Sequence, residues 1–213
     1  MFEILICVVI ALLFLVMLRL MIYEPVRSSL DGRNYNTVRM FEDKSQMEAA
    51  NLLAKINLFN QQFIEFLRKK YVQGGCEVVS KLKGEAGLGS RDRHMKKVVC
   101  RILKRYNPKT LSENFSMYNN DTAYTLGKGK QIKFCLRSKK NKKLHDFNTM
   151  KFVSVHEVAH LGTKKYKHPQ EFWDNFRELI KDAVESGLYR PVDYSLYPRE
   201  YCGLNLQHNP YYE

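Results

Sequence analysis

Apolar side chains recur along this chain in runs of helical period, and the first run is apolar almost throughout. Residues 4–22 carry one charge, Arg19, and about 19 apolar residues at a helical rise span roughly a bilayer core. Arg19 sits near enough to the end to snorkel, and Tyr23 suits a headgroup belt. The chain has no basic start and no small-residue cleavage pattern here. The run therefore predicts an uncleaved transmembrane anchor over residues 1–24 rather than a signal peptide. Arg19, Arg27, Arg33 and Arg39 lie at or beyond its end, with no Lys or Arg before it. That asymmetry predicts a single-pass protein with its C-terminal domain on the cytoplasmic side.

Residues 25–44 mix charge, Ser, Gly and Asn without a period, and read as a juxtamembrane linker. Ala49, Leu52, Leu53, Ile56, Phe59, Phe63 and Leu67 then recur at helical spacing. Ser45 and Glu48 form a capping-box pattern ahead of them, and Gly74-Gly75 closes the run. Lys81 to Ser90 is a glycine-rich loop that lacks the Gly-Lys-Ser/Thr of a phosphate loop. A second helix is predicted from Arg91 to Tyr106, with Met95, Val98, Val99, Ile102 and Leu103 inward and Asn107-Pro108 as its stop. Residues 45–106 thus form a helical region that packs on the C-terminal domain. Lys109 to Asp121 reads as a polar connector. Thr122–Leu126 and Gln131–Arg137 are short strands joined by Gly127-Lys128-Gly129-Lys130.

The next helix carries the chemistry. Asp146 caps it, the run from Phe147 to Leu161 has no Gly or Pro, and Gly162 is the expected C-terminal stop. Met150, Val153, Val155, Val158 and Ala159 make it apolar and therefore buried. Within it stands His156-Glu157-Val158-Ala159-His160. Histidines four apart lie one turn apart on one helix face, so both imidazoles reach one cation. Glu157 stands beside the metal without binding it, placed to take a proton from a water that the metal activates. This is the HExxH arrangement of zinc peptidases. A catalytic zinc takes three protein ligands and leaves a position open. His168, after a polar loop, is the third candidate, and Glu171 is its rival. Pro169 suits the first position of a last helix, in which Phe172, Trp173, Phe176, Leu179, Ile180, Ala183 and Val184 keep helical spacing up to Gly187.

His156-Glu-Val-Ala-His160, a short loop and His168-Pro-Gln-Glu-Phe172-Trp173 together resemble the WLM and SprT-like zinc peptidases. The segment Gln131 to Arg137, the run from Gly187 to Ser195, and Tyr201-Cys202-Gly203 are similar to WLM-like proteins of large double-stranded DNA viruses. The resemblance covers roughly residues 105–206 and not the N-terminal half. It implies a zinc peptidase domain over 107–213 with His156, His160 and His168 as ligands. It also implies Ile132 to Leu136 as the strand that binds substrate backbone, and a link to DNA-associated proteins. The fold expected is α+β and zincin-like, mainly helical with a small sheet, behind one N-terminal transmembrane helix.

Composition adjusts this picture. The 213 residues carry a net charge of +13, which favours acidic partners. Lys128, Lys130, Lys133, Arg137, Lys139, Lys140, Lys142 and Lys143 stand together with no acidic residue among them. They read either as a solvated face or as a footprint for DNA or anionic lipid. Cys7, Cys76, Cys100, Cys135 and Cys202 are odd in number, scattered, and without metal-ligand spacing. They read as reduced thiols. His94, His145 and His208 read as solvent or loop histidines. Of Tyr194, Tyr197 and Tyr201, one phenol is a candidate hydrogen-bond donor to the oxyanion of peptide hydrolysis. The function expected is a membrane-anchored zinc metalloendopeptidase acting on protein or peptide substrates, with Glu157 as general base. Two other classes stand beside it. One is a membrane-bound structural or virion component that contacts capsid proteins and has a metal-stabilised fold. The other is a basic nucleic-acid-binding protein.

Overall fold

A computed structural model describes residues 2–39, 42–76, 89–114 and 122–213. The glycine-rich stretch from Lys81 and the latter part of the polar connector before Asp121 fall outside the described residues. Helix α1 runs Phe2–Ile22, and its side chains from Ile4 to Leu15 face outward. Among the described residues no helix is long and apolar enough to cross a membrane, which corrects the transmembrane anchor expected over residues 4–22. The single-pass topology, which rested on that helix, falls with it. The Arg19 side chain lies outside the described ones.

Residues 25–44, expected as a linker, also differ. Strands β1 (Tyr23–Arg27) and β2 (Asn34–Val38) form an antiparallel hairpin with Pro25 opposite Asn36. Tyr35, Thr37 and Val38 are buried. The period-2 pattern in Asn-Tyr-Asn-Thr-Val is too short, and too rich in polar residues, to stand out in the sequence. The hairpin is one side of a five-stranded sheet with β3 (Leu111–Glu113), β4 (Tyr124–Leu126) and β5 (Gln131–Phe134). The strand order is β1-β2-β3-β5-β4. Strands β2–β3 and β3–β5 pair in parallel, and β4–β5 antiparallel. Strand β5, expected to present Ile132 to Leu136 to substrate, is therefore an interior strand. The edge strand beside it is β4.

Helices α2 (Asp43–Tyr71) and α4 (Phe147–Gly162) pack on this sheet, α3 (Ser90–Arg105) packs against both of them, and α5 (Gln170–Glu185) packs against α4. They agree with the hydrophobic periodicity to within a few residues at each end. The capping box is not formed, because α2 begins at Asp43. Ser45 turns instead to Arg137, whose guanidinium donates to the Ser45 hydroxyl at 2.8 Å and its carbonyl at 2.6 Å. Arg137 also donates to Glu113 at 3.0 Å, with both side chains buried, and the Val38 amide donates to the same carboxylate at 2.9 Å. This ion pair fastens the start of α2 to the sheet, and it removes Arg137 from the basic surface. Asn60 and Ser154, joined at 2.7 Å, tie α2 to α4.

Two further corrections concern packing. The cysteines, expected to be free, are paired as Cys76–Cys100 and Cys135–Cys202, with Cα atoms 5.7 and 6.1 Å apart, and Cys7 is free. Chain separations of 24 and 67 residues hide those pairs from any spacing rule. Gly162 does not end its helix in a left-handed cap. It is the last helical residue, and Thr163 caps with extended backbone. A Cβ at Gly162 would meet Val98 Cγ1 at 2.6 Å and Ile102 Cδ1 at 3.4 Å, so the glycine lets α3 lie close against α4. Gly162→Ala is expected to lower stability by about 1–3 kcal/mol, as overpacking does. The check is a reduced midpoint of denaturant unfolding at an unchanged slope.

Candidate metal centre and cavity

Helix α4 starts at Asp146, whose carboxylate accepts the Thr149 amide at 3.0 Å, and it is buried along nearly its whole length. Its C-terminal carbonyls would be orphaned there, and cations satisfy them. Arg105 donates to the carbonyls of Leu161 (2.7 Å) and Thr163 (3.0 Å), and Arg101 to that of Gly162. Lys128 donates to Thr163 O at 2.9 Å and Lys165 O at 2.6 Å. Positive charge at a helix C-terminus also complements its dipole. The basic run singled out in the sequence is therefore not one patch. Lys128 caps α4, Arg137 is internal, and Lys133 lies over the Tyr23 ring at 4.7 Å. Lys130, Lys140, Lys142 and Lys143 remain exposed, with Lys139 half-buried.

His156 and His160 project from one face of α4, and His168 comes in from the loop before α5. Their ring centroids are 5.0 Å (156–160), 5.0 Å (156–168) and 4.8 Å (160–168) apart. Nε2 of His168 lies 3.1 Å from Nε2 of His156. The buried Phe172 ring packs against all three, at 4.8, 4.4 and 4.6 Å, and Trp173 flanks His168 at 5.7 Å. An aromatic pair at the start of α5 thus sets the third imidazole. Glu171, the rival ligand, turns away toward Arg101 at 3.4 Å.

The donor set fits a zinc ion. One ligand atom from each imidazole lies within 4.8 Å of the others, and no other such trio occurs among the described residues. Burial, and then the neighbouring imidazoles, hold His156 well below the ordinary histidine pKa. Burial likewise brings His160 down to about 4 and lowers His168. All three are neutral near pH 7, with lone pairs available, as zinc requires.

Glu157 is 1% exposed. Burial pushes its pKa up to about 8, opposed by a hydrogen bond from Thr125. Thr125 Oγ1 on β4 donates to Glu157 Oε2 at 2.7 Å. Thr125 escaped the sequence reading because 32 residues separate it from Glu157 and a single Thr in a short strand carries no signal. The two residues share a cavity of about 490 Å³ with the three histidines, Phe152, Val153, Tyr201, Leu204 and Leu206. The last three belong to a small hairpin, β6 (Arg199–Tyr201) and β7 (Leu204–Leu206). The three candidate tyrosines separate here. Tyr194 is buried against Phe152 outside this cavity, Tyr197 is 65% exposed, and Tyr201 lines the cavity. His145 is half-buried, with Nε2 accepting the Cys202 amide at 3.3 Å.

The chain is similar to a set of viral proteins. It is 31% identical over 142 residues to uncharacterized protein 136R of Invertebrate iridescent virus 6, across 63% of this chain and 78% of that one. The chain belongs to the family of that protein. Uncharacterized protein R325 of Acanthamoeba polyphaga mimivirus is 41% identical over 83 residues, 39% of this chain. Uncharacterized protein 042R of Invertebrate iridescent virus 3 is 30% identical over 102 residues, 48% of this chain. The chain spans 42% of the length of R325 and 62% of that of 042R. No family model and no solved structure matches it.

Titration with Zn2+ is expected to reach one equivalent. His168→Ala should weaken binding by more than about 100-fold, since even outer partners of ligands are worth roughly 10–100-fold. Glu171→Ala should leave the affinity within about threefold.

Proposed function

We propose that this protein is a zinc-dependent peptidase, with His156, His160 and His168 as the metal's ligands and Glu157 as general base. The observation that carries the reading is the convergence of three neutral imidazoles beside a buried carboxylate, in a cavity next to a free strand edge. A closed structural site uses four protein ligands and has no need of Glu157. The resemblance to WLM and SprT-like peptidases points the same way.

Zinc, when bound, supplies a Lewis acid that polarises a carbonyl and makes water easier to deprotonate. The chain's own groups do the rest. Glu157 accepts the proton of the attacking water and delivers it to the leaving amine. Thr125 holds one carboxylate oxygen, so the other is left to face the reaction. A nearby cation would draw Glu157 below the value that burial alone imposes, which returns it to the basic form. The open edge of β4 offers backbone N–H and C=O groups to an extended peptide. Phe152, Val153, Leu204 and Leu206 line an apolar wall that suits an apolar substrate side chain and keeps water out. Glu157→Gln should keep full zinc affinity and lose roughly 10²–10⁴-fold in peptide hydrolysis. Cleavage equal to the parent's would remove Glu157 from the mechanism.

One observation favours DNA as a further partner. A groove between the end of α3 and the β4–β5 turn is lined by Arg101, Lys104, Arg105, Lys128 and Lys130, with no acidic side chain. Such a groove suits a phosphodiester backbone, and would place the peptidase on DNA-associated proteins. Lys104→Glu with Lys130→Glu should reduce DNA affinity and lower the slope of log affinity against log salt by about 2. A slope unchanged by the charge reversals would dismiss the groove.

A further inference from the structure

This inference rests on the peptidase reading and deepens it by naming a substrate class. We propose that the cavity selects peptides with a bulky apolar residue on one side of the scissile bond and a carboxylate on the other, and that Lys167 recognises the carboxylate. Two elements order the cavity in the same direction. Along α4, Phe152 and Val153 stand about one turn before His156, and His160 about one turn after it. Along β4 and its flanks, Ala123 comes first and Thr125 meets Glu157. Lys128 follows, and its ammonium bonds the carbonyls of Thr163 and Lys165 beyond the end of α4. The candidate metal site therefore lies between two unlike ends. One is apolar, where Phe152 and Val153 face Leu204 and Leu206 of the C-terminal hairpin. The other is basic, with Lys128, Tyr166 and Lys167. Among the described residues Glu157 is the one carboxylate that lines the cavity.

The two lysines have different tasks. Lys128 is spent on backbone carbonyls and lies 4.6 Å over the Tyr166 ring. Lys167 is exposed at the cavity wall and makes no hydrogen bond or ion pair among the described residues. Both hold left-handed backbone, with φ of 56° and 63°, which glycine adopts at less cost. A long side chain retained at such a position points to a use for it. The negative end of the α4 dipole, which opposes a carboxylate, is already met by Arg101, Arg105 and Lys128. Lys167 is thus left to act on the substrate. It attracts an acidic group and repels a basic one, so the two differ by twice the single charge interaction. At the far end, a bulky apolar side chain gains by leaving water for the Val153 and Leu206 wall.

The test uses the zinc-loaded full chain and a pool of quenched fluorescent peptides. Each peptide pairs Phe or Ala on one side of the scissile bond with Asp, Asn or Lys on the other, in both orders, with amidated or free C-termini. In the parent, kcat/KM for Phe paired with Asp is expected to exceed that for Phe paired with Lys by about tenfold at low salt. The ratio should fall toward one as salt rises. Lys167→Gln should bring it within about threefold of one and Lys167→Glu should invert it, while Lys167→Arg keeps it. Zinc affinity should hold in all three, which separates recognition from a displaced His168. Lys164→Gln, in the same loop but outside the cavity wall, should match the parent. Leu206→Ala should lower the preference for Phe over Ala by about tenfold. An Asp preference that persists in amidated peptides assigns the carboxylate to a side chain, and one confined to free C-termini assigns it to the peptide's end. If the parent cleaves Asp and Lys peptides equally, or Lys167→Gln keeps the parent's ratio, the proposal is overturned and the peptidase reading stands. If the parent cleaves no peptide in the pool, the peptidase reading fails, and this selectivity fails with it.

Discussion

Helix α4 is buried against α2, α3, α5 and β4, yet it carries two histidines, a glutamate and a C-terminus whose carbonyls need donors. Burial at that depth is tolerable only if each polar group finds a partner. The partners come from all over the molecule. Asn60 of α2 takes Ser154, Thr125 of β4 takes Glu157, and Arg101, Arg105 and Lys128 take the last carbonyls. The rest of the fold positions those groups, and the candidate site is the portion of α4 whose polar atoms face a cavity rather than a neighbour.

The same constraint explains the glycine and the aromatic cluster. Cations reach the end of α4 because α3 lies close enough to touch Gly162. Phe172 fills the space behind three imidazoles at once, so their convergence is fixed by a buried ring. The packing also keeps the imidazoles neutral, because desolvation disfavours their charged form. Packing and candidate chemistry are therefore one arrangement.

The outer parts of the molecule depend on longer-range ties. A buried Glu113–Arg137 pair joins α2 to the sheet, and the Cys135–Cys202 bond joins the C-terminal hairpin to it. Removing one member of a buried pair leaves an unpaired charge, so such pairs hold position even where they add little net stability. Their effect is to keep Tyr201 and β4 at the walls of one cavity.

Helices α2 to α5 were legible in the sequence because a 3.6-residue period is local, and side chains a few positions apart must share a face whatever the rest of the chain does. The His156/His160 pair was legible for the same reason, being one helical turn apart. Strands β1 to β3 were not legible, since strands of three to five residues take their identity from partners far along the chain. Tertiary structure alone brought His168 rather than Glu171 beside His156 and His160, Thr125 to Glu157, and Tyr201 rather than Tyr194 or Tyr197 to the cavity, and it paired four of the five cysteines. It also committed two of the eight clustered cations to a helix end and a buried ion pair. Each of these choices brings together groups distant in sequence, and their distances come from packing rather than from spacing along the chain.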